Sequence, residues 1–249
     1  MNKFSGGVGL GAPQAPESAG PTKNRILRGL PPPDRTRILA GLQPVALDLG
    51  DVICEPGQRL DHIYFPTTAV VSSLYTTAEG ATAEMGLVGN DGVVGVSLFL
   101  GGDATPNQAT VVVAGDAFKL KARALREEFA AGGALQALLL RYTQALITQI
   151  SHSAVCNRLH AVEQRLCRWL LMCHDRVERD ELQMTQEFIS NVLGGRRETV
   201  TVAAGRLQDA GLIRYARGHI TIVDRKGLEA TACECYPAVA AWSERLAAV

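Results

Sequence analysis

The sequence lacks long apolar runs, has no cysteine before Cys54 and shows no excess of charge of either sign. Gly, Asp, Gln or Arg interrupts every apolar segment before it reaches the roughly 18 residues that a spanning helix needs. The six cysteines are unevenly spread and no signal-peptide pattern precedes them, unlike the disulfide framework of a small secreted protein. We therefore expect a soluble cytoplasmic protein with no membrane partner.

Zero net charge gives the whole chain no general attraction to nucleic acid, but the charge is unevenly distributed. Residues 188–226 hold seven Lys/Arg and three Asp/Glu, whereas the full chain has 25 of each kind. A local basic face matters more for a polyanionic partner than the total. Double-stranded DNA is therefore the partner that the C-terminal third predicts.

The chain divides into segments that differ in composition and hydrophobic pattern, and together these predict an α+β fold. Residues 1–23 are rich in Gly, Pro, Ala and Ser and read as a disordered tail. A short helix at 35–42, with Asp34 as its cap, is expected at the start of the next segment. From 45 to 120, β-prone runs alternate with Gly/Asp/Pro turns, which favours an antiparallel β jelly roll. The predicted segments are a β domain at 24–130, a long dimerisation helix at 131–158, a winged helix-turn-helix at 159–236 and a C-terminal helix at 237–249.

The long helix carries an apolar stripe at three-four spacing, which needs something to cover it. We expect a second copy of the helix in a homodimer to do so; packing against the chain's own barrel is the alternative. The predicted dimer-helix residues are Leu135, Leu139, Tyr142, Leu146 and Ile150.

Residues 161–226 predict two short helices joined by a glycine turn and followed by a β-hairpin, the order of a winged helix-turn-helix. The second helix opens with "RRET" at 196–199. Arginine can pair with guanine and glutamate can accept from cytosine, so Arg197 and Glu198 are the predicted base readers. The predicted phosphate contacts are Thr185, Gln186, Arg196, Thr199, Arg217 and His219. The competing interpretation is an ordinary solvated helix start.

The stretch "TQEFISNVLGGRRETVTVAAGRLQDAGLI" at 185–213 resembles the DNA-binding domain of Crp/Fnr-type transcription regulators, and "GDVICEPGQRLDHIYFP" and "GVSLFLGG" resemble their cyclic-nucleotide-binding-like domain. The resemblance implies a non-enzymatic homodimer on a roughly palindromic site, with half-sites about 34 Å apart. It also implies base contacts by Arg197 and Glu198. A third reader, usually arginine, is here Val202, which can contact a thymine methyl group.

The resemblance also locates the position of a nucleotide pocket, and the residues found there do not suit a nucleotide. Val96 follows Gly95 where the family's pocket has a glutamate, and Asn107 or Gln108 stands where it has an arginine. A buried cyclic phosphate without that cation is poorly compensated. We expect no binding of cyclic AMP or cyclic GMP. An empty scaffold, a pocket for another small molecule and a surface for RNA polymerase remain open as uses of the barrel.

Two groups of metal-ligating residue types stand in the sequence. His152, Cys156 and His160 recur every four residues on the long helix, but three ligands from one straight helix do not readily surround an ion. "CEC" at 233–235 needs further ligands nearby. We expect no metal site and no cofactor, with a metal- or redox-sensing regulator of the same family as the alternative. A cupin-like enzyme is the remaining alternative, disfavoured because His62 is the only histidine of the β-rich block.

Overall fold

Seven short strands form a jelly roll of two antiparallel sheets, confirming the predicted α+β fold. The computed structural model describes residues 20–177, 179–194 and 197–247, and of residues 186, 187, 246 and 247 it describes the backbone only. One sheet has the order β1-β7-β3 and the other β2-β6-β4-β5. The strands are β1 (Gln43–Leu47), β2 (Val52–Cys54), β3 (His62–Pro66), β4 (Val70–Thr76), β5 (Thr82–Val88), β6 (Gln108–Val113) and β7 (Gly115–Lys121).

Two short helices precede the barrel, and both depart from the sequence-based expectation. Part of the expected tail is ordered, because Pro21–Lys23 form a 3-10 turn and Asn24 caps α1 (Arg25–Arg28) by accepting from the amides of Ile26 and Leu27. The rest of the predicted tail, residues 1–19, lies outside the described residues. Helix α2 (Pro32–Leu39) is capped at Pro31, so the predicted cap at Asp34 is wrong; proline at the first helical position fixes φ and begins the helix earlier.

Helices α3 (Ala122–Ala130) and α4 (Ala134–Leu159) follow the barrel. Most of the predicted stripe of α4 faces the chain's own barrel, which was the alternative, so Leu135, Leu139 and Tyr142 are not available to a second chain. Leu135, Leu139 and Tyr142 are buried in the barrel core, and Leu146 and Ile150 are partly buried over a cavity in it. The barrel is the nearest apolar surface that this stripe can cover, and it satisfies the stripe within one chain.

A second, weaker stripe on α4 is exposed. It repeats at alternating steps of three and four residues, the spacing of a coiled-coil seam. We name this set the α4 seam: Ala137, Leu140, Gln144, Ile147, Ser151, Ala154 and Arg158. Ile147 is 53% exposed, and Val155 and Leu159 add apolar surface beside the seam.

The C-terminal part contains the predicted winged helix-turn-helix. Its helices are α5 (Val162–His174), α6 (Gln186–Leu193), α7 (Arg197–Asp209), α8 (Arg225–Thr231) and α9 (Cys235–Ala247), and its strands are β8 (Glu181–Gln183), β9 (Ile213–Ala216) and β10 (His219–Ile222). Strand β8 was not predicted; it pairs with β10 and makes the wing three-stranded.

The barrel and the winged helix-turn-helix part share one apolar core. Val70 and Leu87 of the barrel belong to the same buried cluster as Trp169 and Leu170 of α5 and Leu207 of α7. Two buried polar contacts cross the same boundary. The indole Nε1 of Trp169 donates to Glu84 Oε2 at 2.9 Å, and Arg176 donates to both carboxylate oxygens of Asp91 at 3.0 and 2.6 Å.

Candidate nucleic-acid interface and sensor cavity

The start of α7 presents its predicted base readers to solvent. Arg197, Glu198 and Thr199 are exposed, whereas Val200, Ala203, Ala204 and Leu207 are buried against the rest of the domain. Val202 is 53% exposed although it is apolar, and it lies one turn beyond Glu198 on the same face. The arrangement leaves an arginine, a carboxylate and a methyl-bearing side chain together on the free face of one helix.

The turn before α7 is built from a capped helix and a glycine. Thr185 Oγ1 accepts from the amide of Phe188 at 3.1 Å and so begins α6. Gly194 ends α6 with a φ of 59°, the left-handed conformation that favours glycine. Gly195 and Arg196 lie outside the described residues, as does the side chain of Gln186, so two of the predicted phosphate contacts have no described position.

The wing closes beside the start of α6. Arg217 and Gly218 both have positive φ, as in a type I′ hairpin turn, and Arg217 is exposed at its tip. The amide of Met184 donates to Gly218 O at 2.7 Å, which brings the wing next to Thr185. His219 Nδ1 lies 2.8 Å from Glu181 Oε1 on β8, so this ring already has an acidic neighbour. Thr185 and Arg217 therefore border the same edge of the domain.

Arg225, one of the seven basic residues of 188–226, is engaged in contacts within the protein. Arg225 binds Asp175 and the hydroxyl of Tyr236, at 2.6 and 2.7 Å, and bonds Glu229 at 2.9 Å. These acidic partners raise the pKa of Arg225 against the opposing effect of its burial. Arg197, Arg214 and Arg217 remain exposed to offer charge to a polyanion.

A small apolar cavity occupies the expected nucleotide position. Its volume is about 130 Å³, and Gly95, Val96 and Asn107 line it together with Leu146 and Ile150 of α4. Gln108 does not line it; its amide instead donates to Glu55 at 2.9 Å. None of the described residues that line the cavity is a lysine or arginine. The cavity suits an apolar occupant of a few atoms and offers no cation to a phosphate.

A group of possible metal ligands was missed by the sequence argument. Cys156, His160, Cys233 and Cys235 come together at the end of α4, with one ligand atom from each lying within 4.8 Å of the others. The further ligands that "CEC" needs for a metal site are therefore present nearby. His152 is not a member. The spacing of Cys156 and His160 was the available signal, but the contact joins residues 77 positions apart.

Two family models match the chain, and together they cover more than half of it. Residues 44–131 match the cyclic nucleotide-binding domain and residues 164–231 match the Crp-like helix-turn-helix domain. No curated protein was found to match. None of the described helices is hydrophobic over a length sufficient to span a bilayer.

Solved structures share the fold over most of the chain. FixK2 from Bradyrhizobium japonicum is 16% identical, with a TM-score of 0.66 over 77% of this chain and 98% of its own. A CRP-family transcriptional regulator from Thermus thermophilus is 20% identical, with a TM-score of 0.61 over 76% and 96%. The c-di-GMP-responsive global regulator CLP from Xanthomonas campestris is 18% identical, with a TM-score of 0.56 over 75% and 96%. With both family models in the expected order on this shared fold, the chain belongs to the Crp/Fnr family of transcription regulators.

Proposed function

We propose that this regulator binds double-stranded DNA in the cytoplasm as a homodimer, each subunit placing α7 in the major groove of one half of a palindromic site. The free face of α7 carries the proposal, because Arg197, Glu198 and Val202 are exposed together there. Arginine and glutamate are the side chains that read guanine and cytosine edges, and Val202 offers an apolar contact to a thymine methyl group. Thr185, Thr199 and Arg217 serve the phosphates around them, with Gln186, Arg196 and His219 as further contacts.

The α4 seam supports a corrected account of the dimer. Leu135, Leu139 and Tyr142 of the stripe first expected there are buried in the barrel core, and the seam is the exposed face of the same helix. Two copies of α4 packed along Leu140 and Ile147 would bury these side chains and bring two α7 helices to one duplex.

The cavity supports a sensor domain that takes no cyclic nucleotide. At about 130 Å³ it is below the roughly 300 Å³ at which ligand pockets begin, and none of its described lining residues is basic. CLP is named as responsive to c-di-GMP. That dinucleotide therefore belongs among the ligands to be tested.

The first test is selection of bound sequences from random duplex DNA by the full-length protein at a stated salt concentration. We expect an enriched palindrome with half-sites about one helical turn apart. Arg197→Ala should weaken binding to that site roughly 5- to 150-fold, the loss of one bidentate base contact worth about 1–3 kcal/mol, and should relax preference at one base pair.

The matched control removes an arginine side chain far from α7. Arg123 is an exposed residue of α3 that pairs with Glu127, and Arg123→Ala should leave DNA affinity unchanged. Arg217→Ala should weaken binding to all sequences alike and lower the salt slope by about one. Equal affinity and equal base preference in wild type and Arg197→Ala would contradict the assignment of α7.

A second test concerns the cavity. Thermal unfolding of the full-length protein with saturating cyclic AMP, cyclic GMP or c-di-GMP should give the same midpoint as without ligand. A ligand that binds the native state stabilises it by about 2.7 kcal/mol at 100 times its Kd. A rise of several degrees with any of the three would overturn this part of the proposal.

A further inference from the structure

Three buried cysteines and one histidine converge where α4 ends and α9 begins. Cys156 and His160 come from the last turn and the cap of α4, Cys235 is the first residue of α9, and Cys233 lies two residues before it. The three cysteine side chains are at most 2% exposed and form a small buried cluster of their own. All six cysteines of the chain are free thiols. A Cys₃His set is one of the ligand sets of structural zinc sites.

The distances match tetrahedral coordination. Zinc–sulfur bonds of about 2.3 Å and zinc–nitrogen bonds of about 2.0 Å separate neighbouring ligand atoms by roughly 3.5 to 3.8 Å in a tetrahedron. Here the sulfurs of Cys156 and Cys233 are 3.5 Å apart, and the sulfur of Cys235 is 3.8 Å from Nδ1 of His160. These two distances fall in the tetrahedral range, and all four ligand atoms lie within 4.8 Å of one another, so one ion can reach them all.

The histidine is oriented from its other side. Nε2 of His160 lies 3.2 Å from Oε1 of Glu234, the residue between the two C-terminal cysteines. A carboxylate on one ring nitrogen fixes the ring and leaves the other nitrogen free to ligate, which is the usual outer contact of a metal-bound histidine. All three residues of "CEC" therefore serve the site: the two cysteines as ligands, and Glu234 by orienting the ring of His160.

Two buried arginines add positive charge beside the cluster, and neither forms an ion pair with a carboxylate of the described residues. Arg165 and Arg168 are buried, and their Nε atoms have no hydrogen-bond partner. Within the described part of the chain, neither has a carboxylate at ion-pair distance; Arg168 reaches only Ser153 and Met172, and Arg165 donates to Leu193 O. Three thiolates around Zn²⁺ carry a net charge of −1, which such cations compensate. Neutral thiols supply no such charge.

We propose that Cys156, His160, Cys233 and Cys235 bind one zinc ion per chain and thereby tie the end of the long helix to the C-terminal helix. The site lies at the junction of α4 and α5. Arg165, close to these thiols, also donates to the last carbonyl of α6, the helix before the recognition helix. Zinc therefore fixes the part of the molecule that orients α7. This inference does not depend on the proposed operator or dimer.

The test measures metal in the full-length protein, purified under argon without chelators or metal-affinity resin. We expect one zinc per chain. Replacing zinc with Co²⁺ should give the visible bands of a tetrahedral cobalt site together with thiolate-to-cobalt charge-transfer absorption. Cys235→Ser should lose both the zinc and the charge-transfer band, whereas Cys54→Ser, which removes a buried cysteine of the barrel, should keep them.

A milder variant separates ligation from folding. Glu234→Gln keeps all four ligands and should weaken zinc affinity roughly 10- to 100-fold, measured by competition with a chromogenic chelator. Wild-type protein without stoichiometric zinc and without tetrahedral cobalt bands would overturn the proposal. So would a Cys156–Cys233 disulfide found by mass spectrometry in the protein purified under argon, or unchanged zinc content in Cys235→Ser.

Discussion

Glu84 is a buried carboxyl at the boundary between the barrel and the DNA-binding part. Its Oε2 accepts from Ser72 Oγ at 2.7 Å and from Trp169 Nε1 at 2.9 Å. Burial raises the pKa of Glu84 above its ordinary value, although these two hydrogen bonds and the charges of Arg168 and Arg176 act in the opposite direction. The folded state therefore holds a proton on Glu84 more tightly than the unfolded chain does.

This sets a pH dependence of stability with a definite sign. Because the folded pKa is raised, Glu84 stabilises the fold most at low pH, and that stability is lost as pH rises from the unfolded value, about 4.3, through the raised folded pKa. Glu84→Gln keeps an acceptor for Trp169 and cannot ionise. Chemical unfolding from pH 4 to 8 should show wild type losing more stability than Glu84→Gln as pH rises.

The matched control is Glu79→Gln, at an exposed position of the β4–β5 turn, which should follow wild type. Parallel stability curves for wild type and Glu84→Gln would show that ionisation of Glu84 does not contribute. Glu84→Ala leaves the indole donor of Trp169 unpaired and should cost about 1–3 kcal/mol at any pH in this range.

Single residues differ in how far the sequence could predict them. Arg197 and Glu198 were placed on an exposed helix start because the glycine turn before them is a local signal. The sequence does not reveal the partners of Cys233 and Cys235, since these lie 77 and 75 positions away and meet only through the packing of α9 on α4. The pairing of Arg225 with Asp175 could not be predicted for the same reason, because the two residues are 50 positions apart.

At the scale of one element, α4 has two apolar stripes. The sequence does not reveal which stripe packs on the barrel and which is left for a second chain. Periodicity identified the helix and the stronger stripe, but a helix period does not say whether a barrel or another chain covers it. Leu139 and Tyr142 are buried in the chain's own core, and Leu140 and Ile147 remain exposed. The seam therefore became visible only with the fold.

A charge placed in the seam tests the proposed dimer. Ile147→Glu would bury an uncompensated carboxylate between two helices, so we expect the dimer to weaken at least roughly tenfold, with a parallel loss of affinity for a palindromic site. Sedimentation equilibrium gives the dimer dissociation constant. Asn157→Glu adds the same charge to an exposed position of α4 off the seam and should have little effect. A dimer unaffected by Ile147→Glu would exclude the seam.

At the scale of the whole molecule, the order of barrel, long helix and winged helix-turn-helix followed from changes of period and turn residues along the chain. The third wing strand did not, because β8 has only three residues and is a strand through its pairing with β10. The shared core was also beyond the sequence. The sequence pattern predicts that Val70 and Trp169 are buried, but it does not predict that they belong to the same core.

The shared core sets a threshold for any signal that acts on this protein. Turning the winged helix-turn-helix away from the barrel would expose Trp169 of α5 and separate Arg176 from Asp91. A ligand that moves a two-state equilibrium from 1:99 to 99:1 must prefer one state by about 5.5 kcal/mol. At the best efficiency of roughly 1.5 kcal/mol per atom, that requires about four well-placed atoms in the cavity. A ligand that discriminates less between the two conformations would bind in the barrel without changing the position of α7. Only ligands with a large difference in affinity for the two conformations would therefore change DNA binding.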